Sequence, residues 1–333
     1  MERYVLDLIA GLSQRGVLLR VVTRRLAWPS MQPHGVEFIV LPDWTPFSRI
    51  NNYVFESRAV SHARLDWPII GISRVPGGAK LAIVGGTHLG HLQNKGRLQP
   101  GLFDRLTIGH EKALYRGACS IVAHSERVRQ EIIHHYDVEA DRVITLYPPV
   151  DTTVFSLAAR NGREALRQHI GVGPDELMLL FPSNNHTLKG ADLILSALDG
   201  FDSRIRLVVV GKDALNHPRV INLGFRRDMP ALYASADASI LASKYEAFGL
   251  VGPESILCGT PVLFANTVGA IEVLSDAACV RFERTVNSLR AALASVLLRF
   301  EAETLALAEP GLHIHYPYSL DAHIDALMSQ LLP

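Results

Sequence analysis

Long apolar runs are missing from this chain of 333 residues. Nothing in it approaches the roughly 18 consecutive apolar residues that a membrane-spanning helix needs, so no such helix is expected. Cysteine is scarce: Cys119, Cys258 and Cys279 lie far apart and form no CxxC pair. That excludes a disulfide-stapled scaffold and reads as reduced, structural thiols in a cytoplasm. The opening "MERYVLDLIAGLSQRG" carries acidic and polar residues among its apolar positions, which excludes a secretory signal. An excess of charge is absent too, with 33 Lys and Arg against 33 Asp and Glu. No nucleic-acid partner is expected of such a balance. The zero hides an asymmetry, since residues 1–150 hold 18 Lys and Arg against 13 Asp and Glu. A basic first half suits an anionic acceptor or peripheral association with the inner face of a membrane; it is equally an ordinary variation between domains.

What is present is a repeated alternation of short β-branched runs and longer helical segments, the pattern of parallel βαβ units. In the first half "VLLRVVT", "VEFIVLP", "PIIGIS", "KLAIVGG", "SIVAHS" and "RVITLYPPV" read as strands. In the second, "LMLLFPS", "RLVVVGK", "RVINLGF", "ASILAS" and "TPVLFAN" repeat the theme. Near-continuous apolar strands of this kind are buried on both faces. The length fits two domains, with a seam at 148–176 read as an Arg-rich linker containing one short helix. The expected division is 1–150, 151–314, and a terminal helix over 315–333 packing back toward the first domain. Ligands of such sheets sit at the carboxyl ends of the strands, and the cleft between two such domains is the expected place.

The stretch "SKYEAFGLVGPESILCGTPV" (243–262) places Glu246 in a loop and Glu254 inside the apolar run that follows. Pro253 is tolerated only near a helix start, so the helix is expected to open at about Leu250. Gly249, beside Phe248, permits close backbone approach, and the amides of Leu250 and Val251 suit a diphosphate. Glu254, one turn in, can accept from a ribose diol, and Glu246 would face a sugar beyond the phosphates. Spacing alone leaves both open to a plainer reading as solvated helix-end carboxylates. A second element narrows this: "FPSNNHTLKGADLILSAL" is a strand, a polar loop, then Lys189-Gly190 entering an amphipathic helix. Lys189 at the strand's carboxyl edge would offset phosphate charge on a leaving group. In the first half, "IVGGTHLGHL" puts His88 after a glycine turn. With His91 it raises a metal pair, but a third ligand is missing and no metal is expected.

Lys189-Gly190, "YEAFGLVGPESILCGTPVLFANTVGAIEVL" and "SERVRQEIIHHYDVEADRVITLYPPVDTTVF" together resemble retaining glycosyltransferases of the two-Rossmann-domain (GT-B) type, family four. The resemblance runs from the first helix to the last, and lipopolysaccharide-core and polysaccharide transferases look nearest. It implies an α/β fold of two Rossmann-like domains facing across a cleft. It implies metal-independent transfer of a hexose from a nucleotide-diphosphate sugar, without a cofactor, to a glycan or glycolipid acceptor, with retained configuration. Carried over by position, Lys189 and Gly190 meet the donor phosphates, Glu254 the ribose, Glu246 the donor sugar and His88 the transferring sugar. Acceptor contacts are expected in loops such as "DWTPFSRINNYVFESR" (43–58).

Two departures stand out. The loop before Lys189 (Ser183 to Leu188) has no arginine, where relatives carry one; phosphate charge is then offset by Lys189 and the helix amides alone, or by Lys212 or Arg226 from neighbouring loops. No strand and glycine turn precede the first helix, so the first strand of the N-terminal domain is missing from its expected place. The expectation is a coding start upstream of Met1. Competing functions are a donor-binding protein without transferase activity and a nucleotide-sugar epimerase on the same fold. An epimerase needs acids arranged for proton abstraction in both domains, and none are found.

Overall fold

The structure, a computed structural model, describes residues 2–26, 32–64, 66–96 and 99–331. The chain divides into two compact units, Met1–Pro149 with Pro317–Pro333, and Val150–Tyr316.

The first unit opens with α1 (Glu2–Gln14), which buries Tyr4, Leu8 and Leu12 along one face, as four-residue spacing dictates. It ends at Gly16, whose φ of 74° lies in the left-handed region. Then follow β1 (Leu19–Thr23), β2 (Val36–Val40), α2 (Ser48–Ala59), β3 (Ile70–Gly71), β4 (Leu81–Val84), α3 (His88–Asn94), α4 (Leu102–Gly117), β5 (Ser120–Ala123), α5 (Glu126–Tyr136) and β6 (Val143–Thr145). Among the described residues these strands form two sheets rather than one: the parallel pair β1-β2, and β3-β4-β5-β6, also parallel throughout. No described strand joins β1 to β3, so each carries an unpaired edge. Both sheets supply side chains to one cluster, in which Leu19, Ile70, Leu81, Ile83 and Val122 meet Tyr4, Leu8 and Leu12.

In the second unit α6 (Arg163–Ile170), β7 (Leu177–Pro182), α7 (His186–Lys189), α8 (Ala191–Leu198), β8 (Ile205–Val210), β9 (Val220–Asn222), α9 (Met229–Ser235), β10 (Ala238–Leu241), α10 (Val251–Leu257), β11 (Val262–Ala265), β12 (Cys279–Phe282) and α11 (Val286–Glu301) follow in turn. The chain then returns to the first unit as α12 (Leu320–Leu331). The sheet has the order β12-β11-β10-β7-β8-β9 and is parallel throughout. Its middle strands are wholly buried, Leu177 to Phe181 among them at 0% exposure, which is why they read as unbroken apolar runs.

Two expectations are corrected here. The Arg-rich stretch does not serve as a linker. A 3-10 turn (Leu157–Gly162) and α6 pack Ala159, Leu166 and Ile170 on the core beneath α9. Its arginines serve the same packing: Arg167 Nη1 reaches buried Asp237 at 2.9 Å, and Arg163 binds the other carboxylate oxygen. Asp237 also accepts from the Met178 amide at 2.7 Å, locking α6 to the first residues of β7. The second correction is β12, which sequence reading did not find. Its four residues, "CVRF", include the exposed Arg281, too short a run to stand out.

α12 completes the first unit. His323 Nε2 lies 2.8 Å from the Tyr4 hydroxyl on α1, and His323 Nδ1 lies 3.0 Å from the Tyr147 carbonyl. A carbonyl only accepts, so Nδ1 carries the proton and Tyr4 donates to Nε2. At the surface Arg15 binds Asp325 at 2.6 Å and Asp321 at 3.1 Å.

Candidate active site

The strand order of the second unit's sheet reverses between β7 and β10. From β7 the chain moves outward through β8 and β9, and then resumes on the other side through β10, β11 and β12. In doubly wound sheets the loops leaving the carboxyl ends at this reversal diverge and leave a crevice for a ligand. Here those loops are 183–190, after β7, and 242–250, after β10.

The first loop is stiff. Asn185 accepts from the Leu188 amide at 3.0 Å and caps the single turn of α7. His186 bridges Ser183 Oγ at 2.8 Å and the Asp213 carbonyl at 2.9 Å. Its Nε2–H donates to that carbonyl, so both ring nitrogens are satisfied in the neutral form. The Lys189-Gly190 pair leads into α8 as the sequence suggests, with one addition: Lys189 closes the single turn α7, and Gly190 (φ 78°) turns the chain through a left-handed kink into α8. A Cβ at Gly190 would run into the Ala242 carbonyl oxygen, so the two loops approach backbone to backbone. The Lys244 amide donates to Leu188 O at 2.8 Å and holds them there.

The second loop carries Glu246, whose backbone is pinned to the loop after β11. Its amide donates to Thr267 O at 3.3 Å, and its carbonyl accepts from Gly269 N at 3.0 Å. Phe248 is buried, with its ring edge-on to Tyr316 at 5.9 Å. Gly249 follows at φ 100°, a conformation that favours glycine. Leu250 then leads into α10 at Val251, and Pro253 falls within the first turn. Lys189 and Glu246, chosen independently from sequence, meet directly: the ammonium donates to Glu246 Oε2, both side chains about one-fifth exposed. Glu254 lies one turn into α10, and its Oε2 accepts from the Tyr233 hydroxyl at 3.0 Å. Of the candidate substitutes for the missing arginine, Arg226 is forked onto Asp228 at 2.8 Å through Nε, whereas Lys212 is exposed.

In the first unit His88 opens α3, just past the end of β4, and Thr87 caps that helix by accepting from Gly90 N. The His88 amide donates to both oxygens of Glu111, each at 3.1 Å. Its Nε2 lies 3.0 Å from Asp104 Oδ1. Glu111, 1% exposed, also takes Arg74 Nε at 2.9 Å and the Tyr136 hydroxyl. The α3 start is thus set by a buried, paired carboxylate. His91 stacks obliquely 6.4 Å from His88, and burial followed by the Lys95 charge lowers its pKa. No group of three or more potential metal ligands occurs among the described residues. In the stretch 43–58, Trp44 and Phe47 are 70% and 65% exposed. A small pocket beside them is lined by Leu41, Trp44, Val54 and Arg58, with the Arg58 guanidinium 5.4 Å over the Trp44 ring.

Sequence reading missed Tyr233, Asp104 and Glu111. The first sits in an apolar helix where nothing marks its hydroxyl as used, and the acids come to His88 from α4, 16 and 23 residues away.

Comparison with known proteins agrees with this architecture. Residues 1–154 match the family described as Glycosyltransferase Family 4, and residues 162–303 match Glycosyl transferases group 1. A probable transglycosylase of Burkholderia thailandensis is 33% identical over 338 residues, covering 98% of this chain and 92% of the relative. Among solved structures, WaaG, a glycosyltransferase involved in lipopolysaccharide biosynthesis, superposes with a TM-score of 0.75 at 20% identity, over 91% of this chain and 88% of that one. HepE of Anabaena, in complex with UDP and glucose, gives 0.69 at 17% identity, over 99% of this chain and 95% of that one. The chain belongs to the glycosyltransferases of the two-Rossmann-domain GT-B fold, family four, and is an enzyme of that class.

Proposed function

We propose that the protein transfers a hexose from a nucleotide-diphosphate sugar to a glycan or glycolipid acceptor, with retention at the anomeric carbon and without a metal. The observation that carries this reading is the meeting of Lys189 and Glu246 at the β7/β10 reversal, with Glu254 on the next helix turn. An ammonium there is placed to stabilise a departing diphosphate, Glu254 to accept from the ribose, and Glu246 to contact the donor hexose. Gly190 lets the chain turn behind Lys189, and Phe248, Gly249, Leu250 and Val251 form the wall along the phosphates. The UDP held by the HepE fold relative supports a nucleotide donor. The WaaG likeness supports an acceptor of the lipopolysaccharide or cell-surface polysaccharide type.

In the same-face route the bond from the anomeric carbon to the phosphate oxygen breaks as a bond from that carbon to the acceptor oxygen forms. The acceptor proton passes to an oxygen of the leaving β-phosphate, whose charge Lys189 offsets. His88, held by Glu111 and Asp104, is the first unit's candidate contact to the transferring sugar. The basic first unit, with Trp44 and Phe47 exposed and Arg58 over the Trp44 ring, supports an acceptor at an inner-membrane surface and a cytoplasmic protein attached peripherally. No helix among the described residues is long and apolar enough to cross a membrane.

The test is a panel of nucleotide sugars assayed separately for binding and for transfer, with the product's anomeric configuration read by NMR. Turnover with retained configuration is expected. Binding without turnover would favour the donor-binding reading instead, and inverted product would remove the same-face route.

A further inference from the structure

From α9, Tyr233 sends its hydroxyl through the core to Glu254 on α10. Tyr233 is 1% exposed, among Leu180, Val208, Leu232 and Cys258, and its ring packs 6.0 Å from Phe155. Thr260 Oγ1 donates to its carbonyl at 2.7 Å, which fixes the backbone from which the ring projects. A phenol buried so deeply needs a partner for its proton, and that partner is Glu254 Oε2 at 3.0 Å. Burial first, then the neighbouring carboxylate, raises the phenol's pKa well above its ordinary value, so it stays a donor throughout the physiological range. A glutamate's terminal torsion is broad and weakly held on its own. The bond from a rigid ring narrows that freedom.

We propose that Tyr233 is a positioning residue for donor recognition: its hydroxyl fixes the plane of the Glu254 carboxylate so that this group accepts from the vicinal 2′- and 3′-hydroxyls of the donor ribose. The inference rests on the reading that Glu254 takes the ribose, and it adds a residue that never touches the nucleotide. Its chemistry is selective. A carboxylate locked in one plane favours a cis-diol over a deoxyribose, because both hydroxyls must reach it together.

The test compares Tyr233→Phe, Glu254→Ala and the double variant by calorimetry, using UDP and 2′,3′-dideoxy-UDP as probes, with GDP and its dideoxy analogue alongside. Tyr233→Phe removes only the hydroxyl. It is expected to weaken binding of the ribonucleotide about 3- to 10-fold and to leave the dideoxy analogue within about twofold of wild type. Adding it to Glu254→Ala should then cost nothing further. In transfer assays the donor KM should rise by more than kcat falls. If Glu254→Ala weakens both nucleotides alike, the ribose reading of Glu254 itself is lost, and this proposal with it. If Glu254→Ala discriminates the two but Tyr233→Phe weakens both alike or neither, the site reading stands and the positioning role is overturned. Should Tyr233→Phe not fold, Tyr233→Leu supplies the same comparison. It also removes the hydroxyl bonded to Glu254 Oε2, so the loss must again fall on the ribonucleotide alone. An equal loss for both probes overturns the proposal.

Discussion

Lys189 donates its ammonium proton to Glu246 Oε2 across 57 residues of sequence. Each member therefore neutralises the other, and an incoming diphosphate competes with Glu246 for the same cation. Removing the acid should act in opposite directions on binding and on chemistry. Glu246→Gln is expected to bind free nucleoside diphosphate as tightly as wild type or more so, and to lose at least about 100-fold in transfer rate. Lys189→Met should instead weaken nucleoside diphosphate by roughly 10- to 100-fold, the scale of a charge-assisted bond. Calorimetry beside initial rates checks both, and an unchanged rate in Glu246→Gln removes that residue from the mechanism.

Gly190 offers a stability test of the loop geometry. Its φ of 78° and the Ala242 carbonyl behind it leave no room for a side chain. Gly190→Ala should cost more than the ~1–2 kcal/mol of left-handed strain alone, since backbone must shift as well. A lowered midpoint in urea unfolding at unchanged slope is the expected result.

Asp237 tests the anchoring of α6. It holds Arg167, Arg163 and the Met178 amide in a buried position. Asp237→Ala leaves both guanidinium groups without their carboxylate, and a loss of about 3–5 kcal/mol is expected. Asp237→Asn, which keeps one acceptor, should lose less. Thermal or denaturant unfolding of the two variants gives the order.

The acid limb of stability should be set partly by two histidines of the first unit. Burial, followed by the neighbouring His323, pushes the His124 pKa down to about 3. Burial also lowers His323 to about 4. Unfolding returns both to about 6.5, so below that value the unfolded chain binds more protons than the folded one. The stability they leave intact above pH 6.5 is lost as the pH falls toward 4 and then 3, by up to ~1.4 kcal/mol per pH unit for each. Melting curves from pH 7 to pH 4 should show this decline, and His323→Gln should make it shallower.

Sequence carried a large part of this structure because its strongest signals are local. β7 is apolar from end to end and β8 closes on the apolar run Leu207–Val210, so each reads as a buried strand. The places of Lys189 and Glu254 could be read from the chain, since each lies on a short helix that follows an apolar strand. The failures are of another kind. β12 is four residues with an arginine among them, and its strand character comes from pairing with β11. Arg163 and Arg167 looked like solvated linker charges because their partner, Asp237, lies about 70 residues on. The same holds for Tyr233 with Glu254 and for His88 with Asp104: long-range pairs leave no periodicity in the chain.

The packing of α12 against α1 bears on synthesis. Tyr4 and Arg15 find His323, Asp321 and Asp325 only more than 300 residues later in the chain. The second unit can therefore finish folding on the ribosome while α1, made before it, still waits for its closing helix. A chain stalled or clipped shortly before Leu320 would present a complete second unit fused to an unfinished first one, with Leu8, Leu12 and Ile83 left for chaperones to shield.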